Sequence, residues 1–300
     1  MKHNSQKITP LHPILYQETV DRALLEDLGG TGDITTEAIV STEDNATARI
    51  VAQAPGRIAG VEIAGYAFRR MDARLLFEVR TFDGTDVKPG DTIAVIRGDA
   101  GPILSGERTA LNFLSHLSGI ATATRKIVEV VEPFPARVVC TRKTIPGLRA
   151  LEKYAVRAGG GFNHRFGLDD AILIKDNHIA VAGSITEAIH RVRRKAGHMV
   201  KIEVEVDTLQ QLETALKEKI DAVLLDNMNP STLTEAVRMV NGKVTTEASG
   251  GITPETARDV AATGVDILSL GWLTHSAPAL NLSLDIQVGS PQLKPDRKKN

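Results

Sequence analysis

Arg142, Lys143, His164, Arg165 and Lys175 all fall between Thr141 and His178, in the stretch TRKTIPGLRALEKYAVRAGGGFNHRFGLDDAILIKDNH. A solvated helix face would space its charges at helical intervals. These bases stand instead where short apolar runs end, after Val138-Val139-Cys140 and after Ile172-Leu173-Ile174. Three glycines, Gly159, Gly160 and Gly161, lie between them. Cations gathered at strand ends beside flexible glycine backbone suit a pocket for a strongly anionic small molecule.

The elements that would hold those bases follow from hydrophobic periodicity. Beyond residue 117, apolar β-type runs alternate with helical segments. Strands are predicted at Arg137–Thr141, Ile172–Lys175, Lys201–Val206, Ala222–Leu225, Thr245–Ala248 and Ile267–Leu270. Helices are predicted near Leu148–Arg157, Ile185–Lys195, Leu209–Lys219, Ser231–Val240 and Pro254–Ala262. Thr208 with Gln211 reads as a helix cap, and Thr253-Pro254-Glu255 as a cap with proline in the first turn. Six such units make a parallel sheet closed, or nearly closed, into a barrel. An open doubly wound sheet is the alternative, but no G-x-G-x-x-G follows the first strand.

Before residue 117 the pattern is α+β with an antiparallel sheet. A helix is expected over 12–28, with Leu15, Val20, Leu24, Leu25 and Leu28 as its stripe, followed by a polar turn GGTGDITTEAIV. Strands are expected at Ala46–Ala54, Arg57–Ile63, Leu75–Phe82 and Thr92–Arg97, with a tight turn at Val87–Asp91 and a helix over Ser105–His116. The domains so read are 1–116 and 117–277. An alternating segment at Leu280–Val288 could return 278–290 to the first domain, and 291–300 forms a basic frayed tail.

Catalytic groups of a βα barrel project from the C-terminal ends of its strands. Read in order, those ends supply Thr141-Arg142-Lys143, Lys175, Glu203 and Glu205 on one face of a strand, Asp226-Asn227, Ser249-Gly250-Gly251 and Gly271. The last two resemble the late-strand phosphate site, where glycine amides and a helix N-terminus meet the anion. Glu205 and Asp226 could hold Mg²⁺, directly or through water, or bond sugar hydroxyls; the other reading is an ion pair with Lys143 or Lys175. Cys140 reads as a core thiol, and His190 and His198 as solvent-facing. No C-x-x-C or H-E-x-x-H supports zinc.

The 300-residue chain is 42% hydrophobic, enough for a large core, and its formal charge is −1. That balance gives no reason to expect nucleic acid or a membrane surface as partner, and 4% aromatic content argues against stacking platforms for single strands. One cysteine fits a reducing cytosol, and neither a signal peptide nor a spanning segment is apparent, so a cytoplasmic protein is expected.

Taken together, CTRKTIPGLRALEKYAVRAGGGFNHRFGLDDAILIKDNH, then EVEVD, LLDN, EASGGI and LGWLTHS, closely resemble the quinolinate phosphoribosyltransferase family, as do LLEDLGGTGDITT and GERTALNFLSHLSGIAT in the first half. The resemblance implies an N-terminal α/β sandwich joined to an incomplete α/β barrel. The implied enzyme is a decarboxylating pentosyltransferase using Mg²⁺, working as a homodimer or higher oligomer with shared active sites. Its implied reaction converts quinolinate and phosphoribosyl pyrophosphate to nicotinate mononucleotide, pyrophosphate and CO2, a step of NAD biosynthesis. Arg142, His164, Arg165 and Lys175 would line the quinolinate carboxylate site, with Thr141 and Lys143 beside them and Arg108 reaching across from the neighbouring subunit. Glu205 and Asp226 would face the ribose and its metal, making them with Lys143 the catalytic set. Ser249, Gly250, Gly251, Leu270, Gly271 and His275 would surround the 5′-phosphate. Two alternatives compete: a same-fold relative from molybdenum uptake operons, and a biotinyl or lipoyl carrier suggested by the Val87–Asp91 turn. The full set of bases argues against the first, and the absence of a Met-Lys-Met or Asp-Lys-Ala tip against the second.

Overall fold

Strict alternation in NATARIVA makes the strand Asn45–Ala52, whose residues Ala46, Ala48, Ile50 and Ala52 are buried along one face. The computed structural model describes residues 8–288. In it the chain divides into two compact units, one running to Gly119 and resuming at Pro278, the other Ile120–Ala277. The first is built on a four-stranded antiparallel sheet in the order Leu282–Val288, Asn45–Ala52, Thr92–Asp99, Leu76–Val79. The alternating Leu282–Val288 segment thus pairs with Asn45–Ala52 along its length. The basic tail from residue 291 lies outside the described residues.

Four local expectations in this unit are revised, the first of them by a non-local bond. The run expected as a strand over 57–63 is cut at Gly60, whose φ of 94° starts the helix Val61–Met71. The carboxylate of Asp83 accepts the Gly60 and Val61 N–H groups at 2.9 and 3.1 Å. A helix start capped from a distant residue leaves no local signature. The supposed polar turn contains the helix Ile34–Ile39, capped by Asp33, which accepts from the Thr36 N–H at 3.0 Å. Only Val20 and Leu24 of the first predicted stripe are buried, on the helix Gln17–Leu28; Leu15 and Leu25 are exposed. The helix expected over 105–116 runs from Ala100 to Val131, through the predicted boundary at 117. Its apolar periodicity continues through Leu114, Leu117, Ile120, Ala121 and Ile127, so no pattern break marks where the units part.

In the second unit six parallel strands are ordered Arg137–Val139, Ile267–Ser269, Thr245–Ser249, Ala222–Asp226, Ile202–Val206, Ile172–Ile174. Arg137–Val139, first of the six along the chain, pairs with Ile267–Ser269, the last, which curls the sheet into a barrel. Among the described residues no ladder joins Arg137–Val139 to Ile172–Ile174, so the barrel is incomplete, and Val139 bridges Phe162 there instead. Val204 and Val206 pack with helix residues such as Ile189 and Leu212, so Glu203 and Glu205 project from the opposite face. The Thr208–Gln211 capping box is present. The helix expected from Pro254 begins at Ala257, because residues 253–256 close a turn in which Thr256 N–H bonds the Thr253 carbonyl. A short helix, Asp176–Ala182, was not evident from periodicity. Among the described residues no helix is long and apolar enough to cross a membrane.

The glycine run is not a flexible pocket wall. The helix Arg149–Ala158 ends at Gly159, and Gly160 has φ 90°. A Cβ on Gly159 would meet Thr124 Cβ at 2.5 Å and the Ala121 carbonyl at 2.6 Å; one on Gly161 would meet Thr124 Cγ2 at 2.8 Å. Two of the three glycines therefore admit the close approach of the 100–131 helix, and the third turns the chain toward His164. Gly159 has an ordinary helical φ, so Gly159→Ala tests packing alone. It should cost about 2 kcal/mol by overpacking and lower Tm by several degrees in thermal denaturation. An unchanged Tm would show that the contact is slack.

Candidate active site

The strand Arg137–Val139 delivers Thr141, Arg142 and Lys143 to the barrel mouth. Thr141 Oγ1 accepts the Lys143 N–H at 3.0 Å, and Thr274 Oγ1 donates to the Lys143 carbonyl at 2.7 Å, so the loop is pinned from both sides. A Cβ on Gly271 would lie 2.8 Å from Lys143 Cδ, 3.4 Å from Thr141 Oγ1 and 3.6 Å from His275 Nε2. Four predicted site residues thus converge, and a side chain at Gly271 would displace Lys143. Ser249 ends the strand Thr245–Ser249, and Gly250 and Gly251 follow it. Gly250, with φ 95°, lies against Asn227, while the space beside Gly251 is open. Asp226 ends its own strand and its Oδ2 accepts from Asn227 Nδ2 at 2.7 Å. The helix N-terminus expected to follow Gly251 is displaced to Ala257, which leaves the glycine amides as the donors there. The Leu270 side chain is buried, so only its backbone can face a ligand. Arg108 is exposed on the N-terminal part of the helix Ala100–Val131.

Arg142 and Arg165 are the electrostatically unusual pair. Arg142 Nε is buried without a hydrogen-bond partner. Arg165 gives one Nη1 bond, 2.9 Å long, to the Ala171 carbonyl. Burial, then the charge of Arg142, holds Arg165 below the usual guanidinium range, against the opposing pull of Asp170 and Glu203. Two like charges that destabilise each other are relieved by an anion bound between them. Lys175 Nζ sits 2.9 Å from Glu205 Oε2, so Glu205 makes the ion pair that its spacing allowed. Lys175 remains half-exposed, and an ammonium has three donors, so the pair leaves it able to contact a ligand.

Beneath this layer lies a buried tier. His164 Nε2 is 3.0 Å from Glu203 Oε2 and 3.6 Å from Glu247 Oε2. Burial, then the charge of Glu203, pushes the Glu247 carboxyl up to about 7. Burial lowers the His164 pKa and its two carboxylate neighbours raise it, the second effect being the larger. The Arg165 N–H donates to His164 Nδ1 at 2.8 Å, which assigns that nitrogen a lone pair and puts the ring proton on Nε2. Both ring nitrogens are therefore engaged by the protein. Lys153 Nζ, itself buried, donates to the His164 carbonyl at 3.0 Å and to Cys140 Sγ at 3.2 Å. Cys140 is a core thiol, as its apolar strand suggested. Glu247 and Lys153 were missed from the sequence. The available signal was a charged residue in the middle of a predicted barrel strand and another on a helix that is buried on nearly every side, among Leu151, Tyr154, Ala155 and Val156.

The family model for the quinolinate phosphoribosyl transferase C-terminal domain matches residues 120–285, and that for its N-terminal domain residues 33–118. A probable nicotinate-nucleotide pyrophosphorylase [carboxylating] of Bacillus subtilis is 44% identical over 278 residues, covering 93% of this chain and 96% of the relative. The nicotinate-nucleotide pyrophosphorylase [carboxylating] of Mycobacterium leprae is 43% identical over 277 residues, covering 90% and 96%. Among solved structures, NadC from Streptococcus pyogenes superposes with a TM-score of 0.90 at 38% identity, covering 94% of this chain and all of that one. The Francisella tularensis enzyme gives 0.89 at 37% identity, covering 95% and 100%. With both domain models matched in order and the whole fold shared, the chain belongs to the quinolinate phosphoribosyltransferase family.

Proposed function

We propose that the chain transfers a phosphoribosyl group from phosphoribosyl pyrophosphate to quinolinate with decarboxylation, giving nicotinate mononucleotide, pyrophosphate and CO2. The observation that carries this reading is the buried, unpartnered Nε of Arg142 beside a second guanidinium. Such a pair suits a planar diacid, since each guanidinium can bind one carboxylate through two parallel hydrogen bonds. Lys175 supplies further donors at the edge of the same site. Ser249, Gly250, Gly251, Gly271, His275 and the Leu270 backbone take the 5′-phosphate, while Thr141 and Lys143 stand beside the carboxylate site, next to Gly271.

In this reading Arg142 and Arg165 set the ring nitrogen of quinolinate against C1′ of the sugar. The nitrogen lone pair forms the new bond as the bond to pyrophosphate breaks, and positive charge develops on the ribose. Glu205 and Asp226 stabilise that charge, as carboxylates do in glycoside cleavage. Loss of the carboxylate next to the now cationic nitrogen leaves an electron pair on carbon, held by that positive charge until a proton is taken up. Two carboxylates at neighbouring strand ends are oxygen donors of the kind Mg²⁺ accepts alongside substrate phosphates, and Asp226 is only half-buried. Glu205 and Asp226 would hold the ion, whose chemistry when bound is to neutralise the diphosphate. Arg108 acts across a subunit interface in a homodimer or larger assembly.

Purified protein given quinolinate, phosphoribosyl pyrophosphate and Mg²⁺ should form nicotinate mononucleotide and CO2 in equal amounts. Arg142→Ala should lower kcat/KM for quinolinate by about 2–4 kcal/mol, roughly 30- to 1,000-fold, through loss of a charge-assisted pair. Its Tm should hold or rise, because the repulsion with Arg165 is relieved. Activity within a few-fold of the parent would remove Arg142 from the substrate site.

Sharing of sites between subunits is testable by complementation. Arg108→Ala and Lys143→Ala should each be nearly inactive. In mixed two-fold dimers both lesions fall in one site and the other is intact, so equal mixing with free exchange should restore roughly a quarter of parental activity. A mixture that stays inactive would place Arg108 within its own subunit's site.

A further inference from the structure

Glu247 is a deeply buried acid near the site, and no substrate contact accounts for it. Its side chain is 3% exposed, Oε1 has no hydrogen-bond partner, and it projects from the same strand that carries Ser249. A carboxyl so deeply buried, with one oxygen unpartnered, is costly unless it does something for its neighbours. Those neighbours form a chain of contacts. Glu247 and Glu203 flank the proton-bearing Nε2 of His164, at 3.6 and 3.0 Å. The other ring nitrogen, Nδ1, takes the Arg165 N–H at 2.8 Å. Lys153 secures the His164 carbonyl at 3.0 Å.

His164, Glu203 and Glu247 also have the composition of a divalent-cation site, their ligand atoms lying within 4.8 Å of one another. The tautomer opposes that use. Because Nδ1 accepts a hydrogen bond, Nε2 bears the proton and has no lone pair to offer a metal. What remains is orientation. Every polar atom that could let the His164 ring turn is held, and the peptide it anchors is the one that bears Arg165.

We propose that Glu247 is a positioning residue: with Glu203 it clamps the His164 imidazole, which through Nδ1 fixes the Arg165 backbone and so aims the Arg165 guanidinium at a substrate carboxylate. The proposal rests on the reading of Arg165 as a carboxylate ligand. It gives His164 a supporting role, and it makes the buried tier part of quinolinate recognition and not of phosphoribosyl binding.

The test is a set of equilibrium titrations on the full-length protein, with quinolinate and with phosphoribosyl pyrophosphate separately. Glu247→Met fills the same volume without a polar group. It should weaken quinolinate binding at least tenfold and leave phosphoribosyl pyrophosphate binding within twofold. Glu247→Gln keeps an acceptor for the Nε2 proton and should restore quinolinate affinity to within threefold of the parent. In an Arg165→Ala background, Glu247→Met should have less than a twofold further effect, since its target is gone. Should Glu247→Met not fold, His164→Leu breaks the same chain at its next member and should show the same pattern. Unchanged quinolinate affinity in folded Glu247→Met, or an undiminished tenfold loss on top of Arg165→Ala, overturns the proposal. Parental affinity in Arg165→Ala alone would instead overturn the assignment of Arg165.

Discussion

Two guanidiniums held close together, one with a buried and unpartnered nitrogen, raise the free energy of the resting protein. The arrangement persists because the surrounding fold leaves the side chains little choice. Arg142 follows a strand end pinned by Thr141 and Thr274, and Arg165 follows a peptide anchored through His164. Strain of this kind is preorganisation: the cost is met in folding, so an anion that bridges the pair gains the full Coulombic benefit without reorganising the site.

The barrel separates charge by depth. Interior-facing positions on two strands either side of Ala222–Asp226 carry Glu203, Glu205 and Glu247, and the strand-end loops above them carry Arg142, Arg165 and Lys175. Glu205 is paired to a cation of the mouth, whereas Glu203 and Glu247 are turned toward the histidine below it. Acids beneath and bases above give the mouth a net attraction for anions, even though the whole chain is nearly neutral. Small residues complete the design at the opposite wall, where Gly271 lets Thr141, Lys143 and His275 close around one point.

Much of this was legible in the sequence, for identifiable reasons. Parallel barrel strands are short apolar runs, and helices between them carry 3.6-residue stripes, so all six strands and the five major helices of the second unit could be located within a few residues. Strand ends then named the mouth residues by position. Illegible features were those set by partners far along the chain. The helix after Gly60 depends on Asp83, and the use of Gly159 depends on Thr124 and Ala121. Glu247 and Lys153 escaped notice because buried charges follow no periodicity; only the fold shows that one faces His164 and the other its carbonyl.

The central claim is that the mouth is built for two carboxylates at once. Titrating the parent protein with quinolinate and with nicotinate, at one pH and one ionic strength, compares a diacid with its monoacid counterpart. Loss of one charge-assisted pair of about 3 kcal/mol predicts that quinolinate binds roughly 100-fold more tightly. Equal affinities for the two acids would contradict the account, because the second guanidinium would then have no carboxylate to serve.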